Sequence, residues 1–154
     1  MTRRGIRLGI DVGTKRVGVA RSDPEGLLAT PLGTLERTEA IPGISSWVDE
    51  YQAIEVVVGH PISLSGRPTA STEDAVDFAR ELATALSVPV VLLDERLSTV
   101  SAGRILQHSG KSAKKQRPVI DQAAAVIILQ HSLDSEASSG IAPGSPVDSG
   151  ESNR

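Results

Sequence analysis

The sequence predicts an α/β fold built on a five-stranded mixed sheet flanked by helices. Three extended segments come first, and two compact apolar segments then alternate with helical ones. This order favours three antiparallel strands followed by two parallel strands. A chain of 154 residues is long enough for one such domain with a sizeable core.

The first three strands are predicted from alternating apolar residues. Residues 6–11 and 16–22 flank a turn at Gly13 and predict a hairpin. The third segment, residues 27–35, contains Pro31, which suits an edge strand because proline has no N–H for the sheet ladder. We therefore expect these three strands to be antiparallel neighbours.

Two helices and two buried strands are predicted next. Pro42 suits the first turn of a helix that ends at Gln52. Residues 54–59 (IEVVVG) and 88–93 (VPVVLL) are β-branched runs of the kind that is buried on both faces of a sheet. Between them, an apolar stripe over residues 75–86 predicts a longer helix, which Ser71 or Thr72 would cap.

The end of the chain is expected to hold two more helices and a tail. Residues 99–107 predict one helix, and Pro118 is expected to open the last helix, which would end at Leu133. Ser, Gly, Pro, Ala and acidic residues dominate the remaining sequence. We therefore expect a domain over residues 1–134 and a disordered tail over residues 135–154.

Composition narrows the classes of protein to consider. The chain has no cysteine, no apolar run as long as a membrane span and no signal-like pattern over residues 1–7. We therefore expect a cytoplasmic protein with no membrane partner. The formal net charge of −3 excludes a uniformly basic surface, so contact with nucleic acid would depend on local clusters of positive charge.

Three separated acids are the candidates for chemistry. Asp11 ends the first strand in LGIDVGTK, Glu95 lies in the DER triplet directly after the last strand, and Asp121 belongs to the first turn of the last helix. Each alone has an ordinary explanation, respectively a turn aspartate, a surface ion pair and an acid that offsets the helix dipole. Together they predict a metal site, because clustered carboxylates repel each other unless a cation neutralises them.

Oxygen ligands of this kind suit Mg²⁺ or Mn²⁺. Such ions support hydrolysis of a phosphodiester without any nucleophilic side chain, and the chain has neither a GxSxG nor an HExxH motif. The sequence therefore predicts a metal-dependent nuclease with Asp11, Glu95 and Asp121 as both metal ligands and catalytic residues.

Several basic residues are candidates for contact with the nucleic-acid backbone, although each cluster would also suit an ordinary solvated surface. His60 ends a buried strand in VVVGHP, and Arg96 would contact phosphate or pair with Asp94. With only three aromatic residues, phosphate contacts should outweigh base stacking. The expected binding residues are Lys15, Arg16, His60, Arg96 and, in a basic loop before Asp121, Lys111, Lys114, Lys115 and Arg117.

Four fragments, GIDVGTKRVGVA, VVVGHPISLSG, LLDERLSTVSA and VIDQAAAVIILQ, together resemble the YqgF/RuvX family of ribonuclease H-like proteins. The resemblance covers residues 6–133 and implies a ribonuclease H-like five-stranded mixed sheet. It also implies a metal site at Asp11, Glu95 and Asp121. His60 departs from the pattern, since family members commonly carry an apolar residue there.

The resemblance implies processing of the 5′ end of precursor 16S ribosomal RNA, with ribosomal particles as the setting. The alternative within the family is a Holliday-junction resolvase acting on branched DNA. A resolvase makes two symmetric cuts and needs a dimer, and the sequence leaves monomer and homodimer open. RuvC-like sites also generally show a further acid near the last one, and QAAAVIILQ after Asp121 has none, which favours RNA.

Two functions of other classes also fit parts of the sequence. A non-catalytic RNA-binding module for ribosome assembly would need none of the three acids, and their joint presence argues against it. DVGTKRVGVA also resembles the first phosphate loop of actin-like ATPases. Those enzymes need two units of this fold, and the chain has room for one.

Overall fold

The computed structural model describes residues 3–60, 70–94 and 113–147, with side chains described at all of these except 71 and 113–121. The described residues form a mixed sheet with helices on both faces. The elements in chain order are β1 (Arg7–Val12), β2 (Arg16–Ser22), β3 (Ala29–Glu36), a 3-10 helix (Arg37–Glu39), α1 (Ala40–Tyr51), β4 (Glu55–His60), α2 (Ala70–Ala85), β5 (Val90–Asp94), α3 (Ala113–Ser139) and β6 (Ser145–Pro146).

The strands lie in the order β3-β2-β1-β4-β5-β6. β1, β2 and β3 are antiparallel neighbours, whereas β4 is parallel to β1 and β5 is parallel to β4. The expected α/β fold with three antiparallel strands followed by two parallel ones is confirmed. The sheet has a sixth strand that was not expected, the two-residue β6, which is antiparallel to the edge of β5.

The two faces of the sheet carry different helices. Leu8 and Ile10 point from β1 into a core shared with α1 and α2. Because side chains alternate along a strand, Gly9 points to the other face, where α3 packs. A Cβ atom at Gly9 would lie 2.6 Å from the Cβ of Leu129 and 2.9 Å from the carbonyl oxygen of Ala125. Glycine at this position therefore lets α3 lie directly against β1.

Helix α3 runs antiparallel to β1. Near its start, Gln122 donates a hydrogen bond to Thr34 at 2.9 Å, close to the end of β3. Two turns later, Gln130 accepts a hydrogen bond from the N–H of Ala29 at 2.9 Å, at the start of β3. Since β3 is itself parallel to β1 through two antiparallel pairings, the N-terminal half of α3 lies near the carboxyl end of β1.

A buried ion-pair network joins the opposite end of β1 to the end of α3. Glu136 accepts hydrogen bonds from Arg3 at 2.8 Å and from Arg7 at 3.1 Å. Arg3 also donates to Glu55 at 2.9 Å. Both carboxylates and Arg7 are buried, so the network fixes the last turns of α3 to the start of β1.

The structure corrects the expected bounds of the last helix. Pro118 does not open it, because α3 already begins at Ala113. Alanine, lysine, glutamine and arginine favour helix strongly. Pro118, the sixth residue of α3, removes one backbone hydrogen bond, and the helix continues through it. Lys114, Lys115 and Arg117 therefore lie in the helix and not in a loop.

The expected start of a disordered tail at residue 135 also differs from the structure. Helix α3 continues to Ser139 because Glu136 is held by the ion pairs described above, and β6 follows it.

The expected start of α2 also differs from the structure. Helix α2 begins at Ala70, so Ser71 and Thr72 lie inside its first turn and do not precede it as caps. The expected helix over residues 99–107 lies outside the described residues. None of the described helices is both long and apolar enough to cross a membrane.

Candidate functional site

Asp11 is the fifth residue of β1 and is partly buried. It has the same strand parity as Gly9, so its side chain belongs to the face that α3 covers. Its partner on β2 is Gly18, which has no side chain to fill the space beside the carboxylate. Gly18 itself therefore contributes no side chain to the sheet surface directly beside the Asp11 carboxylate.

The segment of α3 that carries Asp121 lies over this part of the sheet. Ala125 packs on Gly9, and Asp121 is one helical turn earlier. One turn of helix and two residues of strand both advance the chain by about 6 Å. Because α3 and β1 run in opposite directions, the backbone at Asp121 is level with Asp11.

A row of paired residues supports the same alignment. Asp11 pairs with Gly18, and Gly18 pairs with Thr34, so these three positions form one line across β1, β2 and β3. Gln122, the residue after Asp121, donates its side-chain hydrogen bond to Thr34. The helix is thus attached to the sheet on the line that contains Asp11.

The carboxyl ends of β4 and β5 lie at the same edge of the sheet. Ile10 pairs with Val58 on β4, and His60 pairs with Asp94 on β5. Because side chains alternate along a strand, His60 and Asp94 belong to the same face of the sheet as Val58, which packs in the core with α1 and α2. The structure therefore places His60 at the expected edge but on the face opposite to Asp11.

The turn after Asp11 is closed by backbone hydrogen bonds and held from outside by Arg37. The N–H of Gly13 donates to the carbonyl of Arg16 at 2.9 Å. The backbone N–H of Arg37 donates to the carbonyl of Lys15, and its guanidinium donates to the carbonyl of Gly13, both at 2.9 Å. Lys15 is exposed on this turn and Arg16 is partly buried.

Arg37 is itself anchored to α2. Its guanidinium donates to both carboxylate oxygens of Asp74, each at 2.9 Å, and its Cζ lies 5.0 Å from the ring centre of Phe78. The hydrogen bonds from Arg37 lower the pKa of the Asp74 carboxyl, and the carboxylate raises the pKa of Arg37. The turn that follows Asp11 is therefore tied to α2 through a charged pair.

The remaining predicted site residues are only partly described. Glu95, Arg96 and Lys111 lie outside the described residues, and the side chains of Asp121, Lys114, Lys115 and Arg117 are among those not described. Within the described part of the chain, no three histidine or acidic side chains are grouped so that they could hold a metal ion.

Sequence reasoning did not identify the contacts that organise this region. Arg37 and Asp74 are 37 residues apart, and Thr34 and Gln122 are 88 residues apart. No local motif marks such pairs. The one available signal was the position of Thr34 along its strand. Antiparallel pairing of β3 with β2 places the side chain of Thr34 on the same face of the sheet as Asp11.

Comparison with known proteins agrees with the fold and the motifs. A family model described as "RuvX: Holliday junction resolvase" matches residues 5–135. A relative from Clavibacter michiganensis subsp. michiganensis, named "Putative pre-16S rRNA nuclease", is 54% identical over 149 residues, covering 94% of this chain and 92% of the relative. A relative of the same name from Leifsonia xyli subsp. xyli is 53% identical, covering 95% of this chain and 96% of the relative.

Among solved structures, Thermus thermophilus RuvC in complex with a Holliday junction substrate is similar in fold. The TM-score is 0.54 at 17% sequence identity, covering 92% of this chain and 99% of RuvC. The likeness confirms the ribonuclease H-like architecture. The family-model match over residues 5–135 and the relatives that are more than half identical show that this chain belongs to the RuvX/YqgF family.

Proposed function

We propose that this protein is a nuclease that hydrolyses phosphodiester bonds of precursor 16S ribosomal RNA at its 5′ end. Family membership and the name shared by relatives that are more than half identical support this activity and substrate. The structural observation that carries the proposal is the position of α3, whose segment around Asp121 lies over Asp11 at the end of β1. We assign the active site to Asp11, Glu95 and Asp121.

The register of the sheet supports the inclusion of Glu95. β1, β4 and β5 are parallel and end at one edge, where α/β sheets generally bind their ligands. Asp94, the last residue of β5, has the parity opposite to that of Asp11. Alternation predicts that the next residue, Glu95, shares the face of Asp11.

The three acids fit a divalent cation. Their donors are carboxylate oxygens, the preferred ligands of Mg²⁺ and Mn²⁺, and Gly18 leaves space beside Asp11. When bound, such an ion neutralises charge on the phosphate and favours the ionisation of water for attack on phosphorus. Asp11 contributes a carboxylate from the sheet, and Asp121 contributes one from the helix above it.

The substrate backbone would be bound by basic residues around this edge. Lys15 is exposed on the turn after Asp11, and that turn is held by Arg37. Lys111, Lys114, Lys115 and Arg117 come shortly before Asp121 in the chain and would supply further positive charge. Phosphate contacts of this kind would make binding strongly dependent on salt.

The aromatic residues support recognition by charge and shape in preference to base stacking. The chain has one Trp, one Tyr and one Phe. Trp47 fills the space above Gly33, Tyr51 lies under Arg21 and Phe78 is buried under Arg37. All three rings are engaged within the fold, so base stacking would contribute little.

A four-way DNA junction is the alternative substrate, because the matching family model is described as a Holliday junction resolvase. That activity would need two active sites and hence a dimer. The RNA substrate instead needs one active site, and it would place the protein in the cytoplasm on assembling ribosomal particles.

The decisive experiment is parallel cleavage of end-labelled precursor ribosomal RNA and a four-way junction by wild type and Asp11→Asn. We expect cleavage of the RNA with Mg²⁺ or Mn²⁺, none with a chelator, and a loss in the variant of about 100-fold or more, since an ion-held phosphate is worth several kcal/mol in the transition state.

The matched control is Asp134→Asn, which makes the same change at an exposed site in α3. Its cleavage should equal that of wild type. Equal cleavage by Asp11→Asn and wild type would refute the assigned site. If wild type cleaves the junction in preference to the RNA, branched DNA is the substrate.

A further inference from the structure

The hydrogen bond between Gln122 and Thr34 links α3 to the sheet next to Asp121. We propose that this contact is a positioning device that sets the height and rotation of Asp121 over Asp11. Thr34 and Gln122 would then be positioning residues for the metal site without touching the metal or the substrate. The inference rests on the proposed function, because it assumes that Asp121 and Asp11 act together.

The geometry of the contact is specific. Gln122 Nε2 lies 2.9 Å from Thr34 Oγ1, and both residues are partly buried. Thr34 reaches the helix from β3, two strands away from Asp11, on the line of paired residues that passes through Gly18. Because Gly18 has no side chain, the helix can approach the sheet between the two residues.

The other described attachments of α3 lie further along the helix. Gln130 bonds with the N–H of Ala29 and the carbonyl of Leu27, at 2.9 and 3.0 Å. Ala125 and Leu129 pack on Gly9. Among the described side chains, Gln122 is therefore the first along α3 to bond to the sheet, and it adjoins Asp121.

Loss of this contact should affect Asp121 more than the fold. The packing at Gly9 and the bonds of Gln130 would still hold the helix from Ala125 onward. The turn before Ala125 would lose the hydrogen bond from Gln122 to Thr34. Because metal ligands must be held to within a fraction of an ångström, such supporting contacts typically alter metal affinity or activity by about 10- to 100-fold.

The test compares Thr34→Val, which keeps the shape but removes the hydroxyl, with Thr34→Ser, which keeps it. Binding of Mn²⁺ to the protein alone is measured by titration calorimetry, and kcat and KM are measured for cleavage. We expect Thr34→Val to weaken Mn²⁺ binding and lower kcat by about tenfold, with little change in KM. Thr34→Ser should restore both values to those of wild type.

The matched control is Gln130→Met, which removes side-chain bonds from the same helix to the same hairpin, but two turns from Asp121. It should lower the unfolding midpoint without changing Mn²⁺ binding. If Thr34→Val does not fold, Gln122→Met carries the test, because it removes the same bond while keeping helix propensity and length.

Two results would overturn the inference: Mn²⁺ binding and kcat of Thr34→Val equal to those of wild type, or an equal loss in Gln130→Met. If Asp11→Asn abolishes cleavage while Thr34→Val does not alter it, only the positioning role fails. If Asp11→Asn cleaves like wild type, the assigned site fails, and if wild type cleaves neither substrate, the proposed function itself fails.

Discussion

Gly9 shows how a single residue determines the distance between a helix and a sheet. Its missing side chain is the space that Ala125 and Leu129 occupy. An added methyl group would meet the carbonyl of Ala125, which belongs to a helical backbone and cannot rotate away. Any larger residue at position 9 must therefore displace α3 from β1, and with it the segment that carries Asp121.

We predict that Gly9→Ala lowers the free energy of unfolding by about 2 kcal/mol, within the range usual for overpacking a core. Urea denaturation followed by circular dichroism measures this change. Cleavage should fall as well, because the helix moves away from Asp11.

Gly43→Ala provides the control for Gly9→Ala. The atoms nearest to the added Cβ would be the Cδ methyl groups and the Cγ of Leu35, which belong to a flexible side chain. Position 43 lies in helix α1, where alanine is favoured over glycine. Its unfolding free energy should be unchanged or higher. A loss as large as that of Gly9→Ala would contradict the explanation by backbone contact.

At the scale of elements, the end of α3 is held to the start of β1 by charge. Hydrogen bonds from Arg3 lower the pKa of the Glu136 carboxyl from 4.5 to about 2. Arg7 and Glu55, both buried, complete the group of charges around it. The ionised form of Glu136 is therefore the form that stabilises the folded protein.

This shift predicts a dependence of stability on pH. A carboxyl whose pKa is lowered by folding contributes fully above its unfolded pKa, near 4.5, and loses that contribution as the pH falls toward 2. Glu136→Gln should remove roughly 2–3 kcal/mol at pH 6 and progressively less at lower pH. Urea denaturation of both proteins at pH 6, 4 and 3 measures the difference.

Glu25→Gln is the control for that experiment, since Glu25 pairs with Arg4 on the exposed surface. Exposed pairs contribute little, so its stability should follow that of wild type at every pH. A constant difference between Glu136→Gln and wild type from pH 6 to pH 3 would refute the assignment to Glu136.

The elements differ in how well local sequence predicts them. Residues 54–59 were expected to form a strand and β4 is Glu55–His60, because a run of β-branched residues favours extended chain wherever it packs. The early start of α3 was missed because Pro118 suggested a helix start. The helix-forming residues before Pro118 extend the helix back to Ala113. Its late end was missed because Glu136 is helical through partners more than a hundred residues away.

The candidate site, like the helices and strands, was only partly predictable from local sequence. Asp11 could be placed at the end of a strand from its own neighbours in the chain. Glu95 and Asp121 remain predictions as ligands, although the helix segment at Asp121 lies level with Asp11. The Arg37 to Asp74 pair could not be predicted, because it depends on the distance between a 3-10 helix and α2, which no local pattern encodes.

In the whole molecule, the two edges of the sheet are protected differently. Pro31 interrupts hydrogen bonding on β3. On the other side β6 covers β5, with the N–H of Val147 donating to the carbonyl of Val90 at 2.9 Å. Exposed strand edges readily pair with other chains, so β6 removes a site of self-association.

We predict that a chain ending at Gly140 associates through the uncovered edge of β5. Sedimentation velocity over a range of concentrations should show larger species than the full chain forms. A chain ending at Val147 retains β6 and is the control, which should sediment like the full chain. Identical sedimentation of all three proteins would show that β6 has no such role.

The Arg37 anchor has a consequence for the thermodynamics of substrate binding. A loop that becomes ordered only on contact with its ligand subtracts the lost conformational entropy from the affinity. The turn from Gly13 to Arg16 is already held by Arg37 and Asp74. Its ordering entropy is therefore lost during folding, so that Lys15, in its proposed role, would meet a phosphate from a turn whose backbone is already ordered.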